Sequence, residues 1–220
     1  MNVKVKICGI TDETALQAAM EAGADFIGLV FFPPSPRHLE LEQAARLAEA
    51  ARRRVSIVAL TVDAENDLLR AMARQVRPDF IQLHGQETPA RAVRVAQMTG
   101  ARIIKAFRIR TAQDLQTAQA YEGKIAFPLF DAWVDDKTAA GLPGGTGHSF
   151  DWSLLDGHGA PFMLAGGLNP ENVKRAIRTT HAPMVDVSSG VENAPGIKDG
   201  EKIRQFIKAA KGQAGGEWRR

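Results

Sequence analysis

Apolar and polar residues alternate at the start of the chain, Val3, Val5 and Ile7 against Asn2, Lys4 and Lys6. That period of two predicts a β-strand, which Gly9 ends. Thr11 then stands as an N-cap, Asp12 and Glu13 put negative charge in a first helical turn, and Leu16, Ala19 and Met20 follow at helical spacing up to Gly23. The pattern changes at residues 25–32 to an unbroken apolar run, as for a strand covered on both faces. A proline-rich turn at 33–38 separates it from a helix marked by Leu41, Ala44, Ala45 and Ala48. Strands at 55–62 and 79–83 flank a helix carrying Leu69, Met72, Ala73 and Val76, and the second of them ends in His84 and Gly85. Pro89 opens the next helix at its first position, a strand follows at 102–107, and Thr111 caps a helix that carries Leu115 and Ala118. The strand at 124–130 ends in Asp131.

Beyond it the pattern predicts a long loop at 132–148, a short helical piece at 150–155, and a strand at 161–165 that ends in Gly166 and Gly167. Asn169 then caps a helix with Pro170 at its first position, and the last strand, 184–187, ends in Ser188, Ser189 and Gly190. A final helix places Ile203, Phe206, Ile207 and Ala210 on one face. Strand starts near 3, 25, 56, 79, 102, 125, 161 and 184 recur at about 23 residues, interrupted by two longer units. Eight strand–helix units predict an α/β fold of the TIM (βα)8 type, one domain over 1–211, with a disordered glycine-rich tail at 212–220. A doubly wound open sheet is the runner-up; the lack of a GxGxxG turn after the first strand weighs against it. In a barrel, every strand end opens on one mouth. That geometry would gather Cys8, Arg37, His84, Asp131, Gly166, Gly167 and Ser188–Gly190.

Composition narrows the class. The chain is 45% hydrophobic and 24% charged, enough for one sizeable core, and carries a net charge of only +3. Its one basic run, Arg52 to Arg54, has no interleaved aromatics and reads as solvated surface, so no nucleic-acid partner is expected. No apolar run approaches a membrane span and the start lacks a signal-peptide pattern, so the reading is cytoplasmic, with no membrane partner. Cys8 is the single cysteine, which excludes an internal disulfide and cannot by itself make a zinc site. A free cysteine is most often a small buried hydrophobe. Its place at a strand end argues for chemistry instead. Asp131 ends an apolar strand, where desolvation favours the protonated acid, against the alternative of a loop or cap aspartate. Arg37 follows three prolines in four residues, a stiff mount for a guanidinium that grips a carboxylate, against a surface salt bridge. His84 reads as an acid–base group or as the imidazole of a turn. The glycines at 166, 167 and 190 with Ser188 and Ser189 leave backbone N–H groups open for a phosphate dianion, which barrels commonly bind at these two loops. Gly145 and Gly147, within the run 144–147, suit either an anion nest or a lid.

The stretches VKICGIT, FFPPSPRHL, QLHG, FD, GGTG, FDW, LAGGLNPENV and DVSSGVE occur in that order up to residue 192, and the ordered set resembles the phosphoribosylanthranilate isomerase family of tryptophan biosynthesis. Two places depart from the family pattern: the third strand ends ALTVD, and Arg108 stands where a small residue is usual. The resemblance implies a (βα)8 barrel that converts N-(5′-phosphoribosyl)anthranilate into 1-(2-carboxyphenylamino)-1-deoxyribulose 5-phosphate by an Amadori rearrangement, without metal or organic cofactor. It implies Cys8 as general base, Asp131 as general acid and Arg37 as the ligand of the anthranilate carboxylate. The thiol of a free cysteine titrates at roughly 8.5, so stabilisation by nearby helix N-termini is expected to give Cys8 a useful thiolate fraction. The partner is then a phosphorylated small molecule, and the protein a monomer or homodimer. Two rivals stand beside this reading. Another phosphate-binding (βα)8 sugar isomerase, such as the histidine-pathway one, would carry an aspartate at the position of Cys8. A catalytically inactive barrel that binds a phosphorylated metabolite would keep the loops but not the acid and base.

Overall fold

The computed structural model describes residues 3–132, 152–155 and 159–212. Eight parallel strands close into a barrel in the order in which they occur along the chain: β1 (Lys4–Cys8), β2 (Phe26–Phe31), β3 (Ser56–Thr61), β4 (Phe80–Leu83), β5 (Arg102–Ile109), β6 (Phe127–Ala132), β7 (Met163–Ala165) and β8 (Met184–Val187). Pairing of β8 with β1, Val185 beside Val5 and Asp186 beside Lys6, closes the ring. The open-sheet alternative is thereby excluded. Helices α1 (Glu13–Glu21), α2 (Leu41–Ala51), α3 (Asn66–Gln75), α4 (Pro89–Thr99), α5 (Ala112–Gln119), α6 (Val173–Thr180) and α7 (Gly200–Lys211) follow strands in turn. No helix among the described residues is long and apolar enough to cross a membrane.

Side chains alternate along each strand between two apolar environments. Val5, Ile7, Ile27, Leu29, Ile57, Ile81 and Ile103 face outward and pack under the helices. The opposite parity fills the barrel floor with Phe26, Val58, Phe80, Ile104, Leu129, Met163 and Met184. Phe80 meets Phe26 edge-on at 5.8 Å between ring centroids and Phe127 at 5.7 Å, arrangements that suit the ring quadrupoles. One step up, the same parity carries Lys6, Gln82 and Asp186, and above them the mouth. The polar half of the β1 alternation is therefore barrel interior: Lys6 is fully buried.

Several termini differ from the sequence reading. The cap of α1 is Asp12, whose Oδ1 accepts from the Ala15 N–H at 2.8 Å, while Thr11 lies one residue outside and donates its hydroxyl to the Gly196 carbonyl. Asn169 does not cap α6 directly. Its Oδ1 accepts from the N–H groups of Glu171 and Asn172, forming a turn that delivers the chain to an N-cap at Asn172. The Thr111 cap holds as a capping box with Asp114, and Thr88 caps α4 ahead of Pro89. After β8 the chain makes a short 3₁₀ turn and an antiparallel hairpin, β9 (Glu192–Ala194) and β10 (Ile197–Lys198), which the hydrophobic pattern does not announce. Gly196 turns this hairpin at φ +82°; a Cβ there would stand 2.5 Å from the Pro36 carbonyl oxygen, so the hairpin lies against the proline-rich turn.

Candidate active site

Cys8 ends β1 with its side chain inside the mouth, 4% exposed. Its register partner on β2 is Gly28. A Cβ at Gly28 would lie 2.8 Å from the Cys8 sulfur and 3.2 Å from Lys6 Nζ, so the glycine makes the space in which thiol and ammonium meet. Lys6 Nζ donates to Asp186 Oδ1 at 3.0 Å and shares with the Cys8 sulfur the space left by Gly28. Burial works to discharge Lys6, but the Asp186 carboxylate and Cys8 outweigh it and hold the ammonium above its ordinary range. Burial pushes the Cys8 thiol up; Lys6 pulls it back, Asp186 adds to the rise, and Lys198 gives a further small pull downward. Burial prevails and the thiol lies above its ordinary value, against the useful thiolate fraction expected from the sequence; the side chains that favour the thiolate are the two ammonium ions of Lys6 and Lys198.

The hairpin β9–β10 builds the neighbouring wall. Arg37 donates from Nε and Nη2 to the two oxygens of Glu192, both at 2.7 Å, in a fork-to-fork pair. Its methylenes cross Gly9, where φ is +79° and a Cβ would stand 2.5 Å from Arg37 Cδ. Lys198 Nζ donates to Glu192 Oε1 at 2.6 Å and to the Ser188 carbonyl at 3.0 Å, and the Ser188 hydroxyl donates to the Cys8 carbonyl at 3.1 Å. Burial lowers Lys198, and Glu192 only partly restores it; for Glu192 itself burial is outweighed by Arg37 and Lys198, which keep it ionised below the usual carboxylate range.

Across the mouth, β6 presents Asp131, whose side chain is 26% exposed, and β4 leads into His84, with Nε2 3.3 Å from Asp131 Oδ2. Gln82 Nε2 stands 2.9 Å from His84 Nδ1. An amide N–H donated there makes Nδ1 an acceptor and places an imidazole N–H at Nε2, toward Asp131. The loop beneath is pinned by Glu87, which accepts from the Gly85 N–H at 2.9 Å and pairs with buried Lys105 at 3.2 Å. Arg108 is the register partner of Asp131 on β5. Between Cys8 and Asp131 lie β7 and β8 on one side and β2 to β5 on the other, so the two groups occupy different walls.

The β7 and β8 ends supply the backbone sites. Gly166 and Gly167 take φ values of +89° and +62°, and Asn172 Nδ2 holds the Gly167 carbonyl at 2.8 Å. Gly190 abuts this loop so closely that a Cβ would fall on the Leu168 carbonyl oxygen. The structure therefore brings together Cys8, Arg37, His84, Asp131, Gly166, Gly167, Ser188, Ser189 and Gly190. Gly145, Gly147, most of the 132–148 loop and the tail from 213 lie outside the described residues. Among the described residues no group of three His, Cys, Asp or Glu side chains is placed to hold a metal ion. Sequence reasoning missed Lys6, Asp186, Glu192, Lys198 and Gln82. For the first, the alternation along β1 marked a polar face but not whether that face met water or the barrel interior.

A closed parallel barrel whose C-terminal mouth collects a thiol, a carboxylate with its imidazole, and buried cations defines a (βα)8-barrel enzyme. The model of the N-(5′-phosphoribosyl)anthranilate (PRA) isomerase family matches residues 5–209. The N-(5′-phosphoribosyl)anthranilate isomerase of Paramagnetospirillum magneticum is 51% identical over 214 residues, covering 96% of this chain and 99% of the relative. The crystal structure of the phosphoribosyl anthranilate isomerase from Thermotoga maritima superposes with a TM-score of 0.86 at 36% identity, over 96% of this chain and 99% of that one. A phosphoribosyl anthranilate isomerase in complex with reduced 1-(o-carboxyphenylamino)-1-deoxyribulose 5-phosphate does so with a TM-score of 0.82 at the same identity and coverage. The chain belongs to the phosphoribosylanthranilate isomerase family.

Proposed function

We infer that this barrel carries out the Amadori rearrangement of N-(5′-phosphoribosyl)anthranilate to 1-(2-carboxyphenylamino)-1-deoxyribulose 5-phosphate, with Asp131 as acid and Cys8 as base. The observation that carries the assignment of roles is the placement of these two groups on different walls of one mouth, so that they approach the sugar from different sides. Opening the ribose ring needs a proton at the ring oxygen. Asp131 supplies it, and the His84 Nε2–H beside it steadies the carboxyl. Ring opening leaves a protonated Schiff base, which acidifies the C2 proton. Cys8 removes that proton to give the enolamine, which tautomerises to the ketone.

Substrate ends are held apart from the reacting carbons. Glu192 takes the Nε–Nη2 edge of Arg37 and leaves the Nη1–Nη2 edge for the anthranilate carboxylate. The loops at Gly166–Gly167 and Ser188–Gly190 offer backbone N–H groups to the phosphate, and fixing both ends places C1 and C2 between acid and base. This reading makes the protein a cytoplasmic enzyme working on a phosphorylated small molecule, as a monomer or homodimer.

The test is turnover of freshly generated phosphoribosylanthranilate, followed by loss of its fluorescence. Wild-type protein is expected to consume it and Cys8→Ser to be slowed by at least about 10²-fold, the scale of a lost acid–base group. No turnover by wild type removes the activity; normal turnover by Cys8→Ser removes the thiol from the base role.

A further inference from the structure

Lys6 is a charge fully buried in the barrel on the strand that ends in Cys8, and the rearrangement does not use it. Two independent features aim it at the sulfur. Gly28 has no side chain where one would touch both Sγ and Nζ, and Asp186, which takes one N–H of Lys6 at 3.0 Å, is held by β8 at the β1 register position of Lys6 itself. An isolated lysine would discharge in such a place; paired with Asp186 it stays an ammonium ion and retains donors to spare for the thiol.

We propose that Lys6 is a positioning residue for the base: its ammonium, clamped between Asp186 and Cys8, is the counter-charge of the thiolate that takes the C2 proton, and Asp186 limits how much of that charge the sulfur feels. This deepens the role given to Cys8 and rests on it. In the step concerned, the C2–H bond breaks and its electron pair becomes the C1–C2 double bond. The Schiff-base nitrogen is neutralised, and the proton ends on Sγ as a thiol. Lys6 neither gives nor receives a proton; it loses a counter-ion when the thiolate is quenched. The other charged groups around the thiol are Lys198 on β10, Arg37 and Glu192 beyond it, and Asp131, His84 and Arg108 across the mouth. Lys198 spends its hydrogen bonds on Ser188 and Glu192, and β2 contributes only Gly28 at this level. Lys6 is the cation that borders the sulfur across the space left by Gly28.

Because Cys8 is the sole cysteine, thiolate absorbance and alkylation rate against pH read this one group in the folded protein, independently of turnover. Lys6→Met is expected to move the titration midpoint up by about 1 to 3 pH units, and the rising limb of kcat/KM with it. Asp186→Asn, which keeps the shape and removes the negative charge, is expected to move the midpoint down. A residue that only supports the fold would not produce shifts of opposite sign. Should Lys6→Met alone not fold, Lys6→Met/Asp186→Asn is compared with Asp186→Asn, and its midpoint must lie higher. An unmoved midpoint on loss of Lys6, or shifts of the same sign in both single variants, overturns the proposal even where Cys8→Ser is inactive. Normal turnover by Cys8→Ser instead overturns the base reading, whatever the titration shows.

Discussion

Asp131 and Cys8 are asymmetric in their surroundings, and the asymmetry fits the tasks proposed for them. Asp131 sits beside an imidazole that Gln82 fixes in one tautomer, at the rim and partly solvated; Cys8 lies deeper, among charges. Asp131→Asn keeps shape and hydrogen bonding to His84 but has no acidic proton, so kcat is expected to fall by about 10²- to 10⁴-fold with urea stability little changed. A variant keeping more than a tenth of wild-type kcat would show that ring opening does not depend on this carboxyl. Both residues were legible in the sequence because a lone ionisable group closing an apolar strand stands out. Lys6 and Asp186 were not, since alternation shows that a face is polar without saying whether that face meets water. Only the ring closure, with β8 beside β1, makes it an interior one.

The hairpin β9–β10 is the element the hydrophobic pattern could not foretell, being five strand residues with one large exposed apolar side chain, Ile197. Its contribution is electrostatic: Glu192 aligns Arg37 and neutralises Lys198. Glu192→Gln retains one acceptor oxygen but loses the charge and the fork, so KM for phosphoribosylanthranilate is expected to rise by roughly 10-fold, with a smaller effect on kcat. An unchanged KM would mean that Arg37 needs no such brace. The same carboxylate contributes to acid stability. Its folded-state titration lies below the ordinary value of 4.5, so its stabilisation is present above that pH and is lost as pH falls through the lower folded value. Unfolding midpoints of wild type and Glu192→Gln are therefore expected to converge as pH drops below about 4. Helix positions, by contrast, were nearly all readable from spacing. The misplaced caps at Thr11 and Asn169 each had a better-placed neighbour, Asp12 and Asn172, within three residues, a distinction that depends on backbone path rather than residue type.

At the scale of the whole barrel, polar links tie the first two units to the last. Lys6 meets Asp186, the Cys8 carbonyl meets Ser188, Thr11 meets Gly196, and Arg37 meets Glu192, across sequence separations of 155 to 185 residues. Lys6→Met leaves Asp186 buried without its cation, which typically costs about 3 to 5 kcal/mol, whereas Lys6→Met/Asp186→Leu removes both charges and should recover most of that loss. Because such distant pairs form late, the single variant should speed unfolding and leave the refolding rate nearly unchanged. A loss expressed mainly in the refolding limb would show that this seam closes early.

That seam also sets a clock on synthesis. Chains emerge N-terminus first, at roughly 5 to 20 residues per second, so Lys6 is made 180 residues ahead of Asp186. Until then the lysine has no carboxylate to follow it into the barrel, and a ring shut around it would strand a naked cation in apolar surroundings. A nascent barrel lacking its eighth strand is thus denied a comfortable closed form, and the thiol is armed only when that strand arrives.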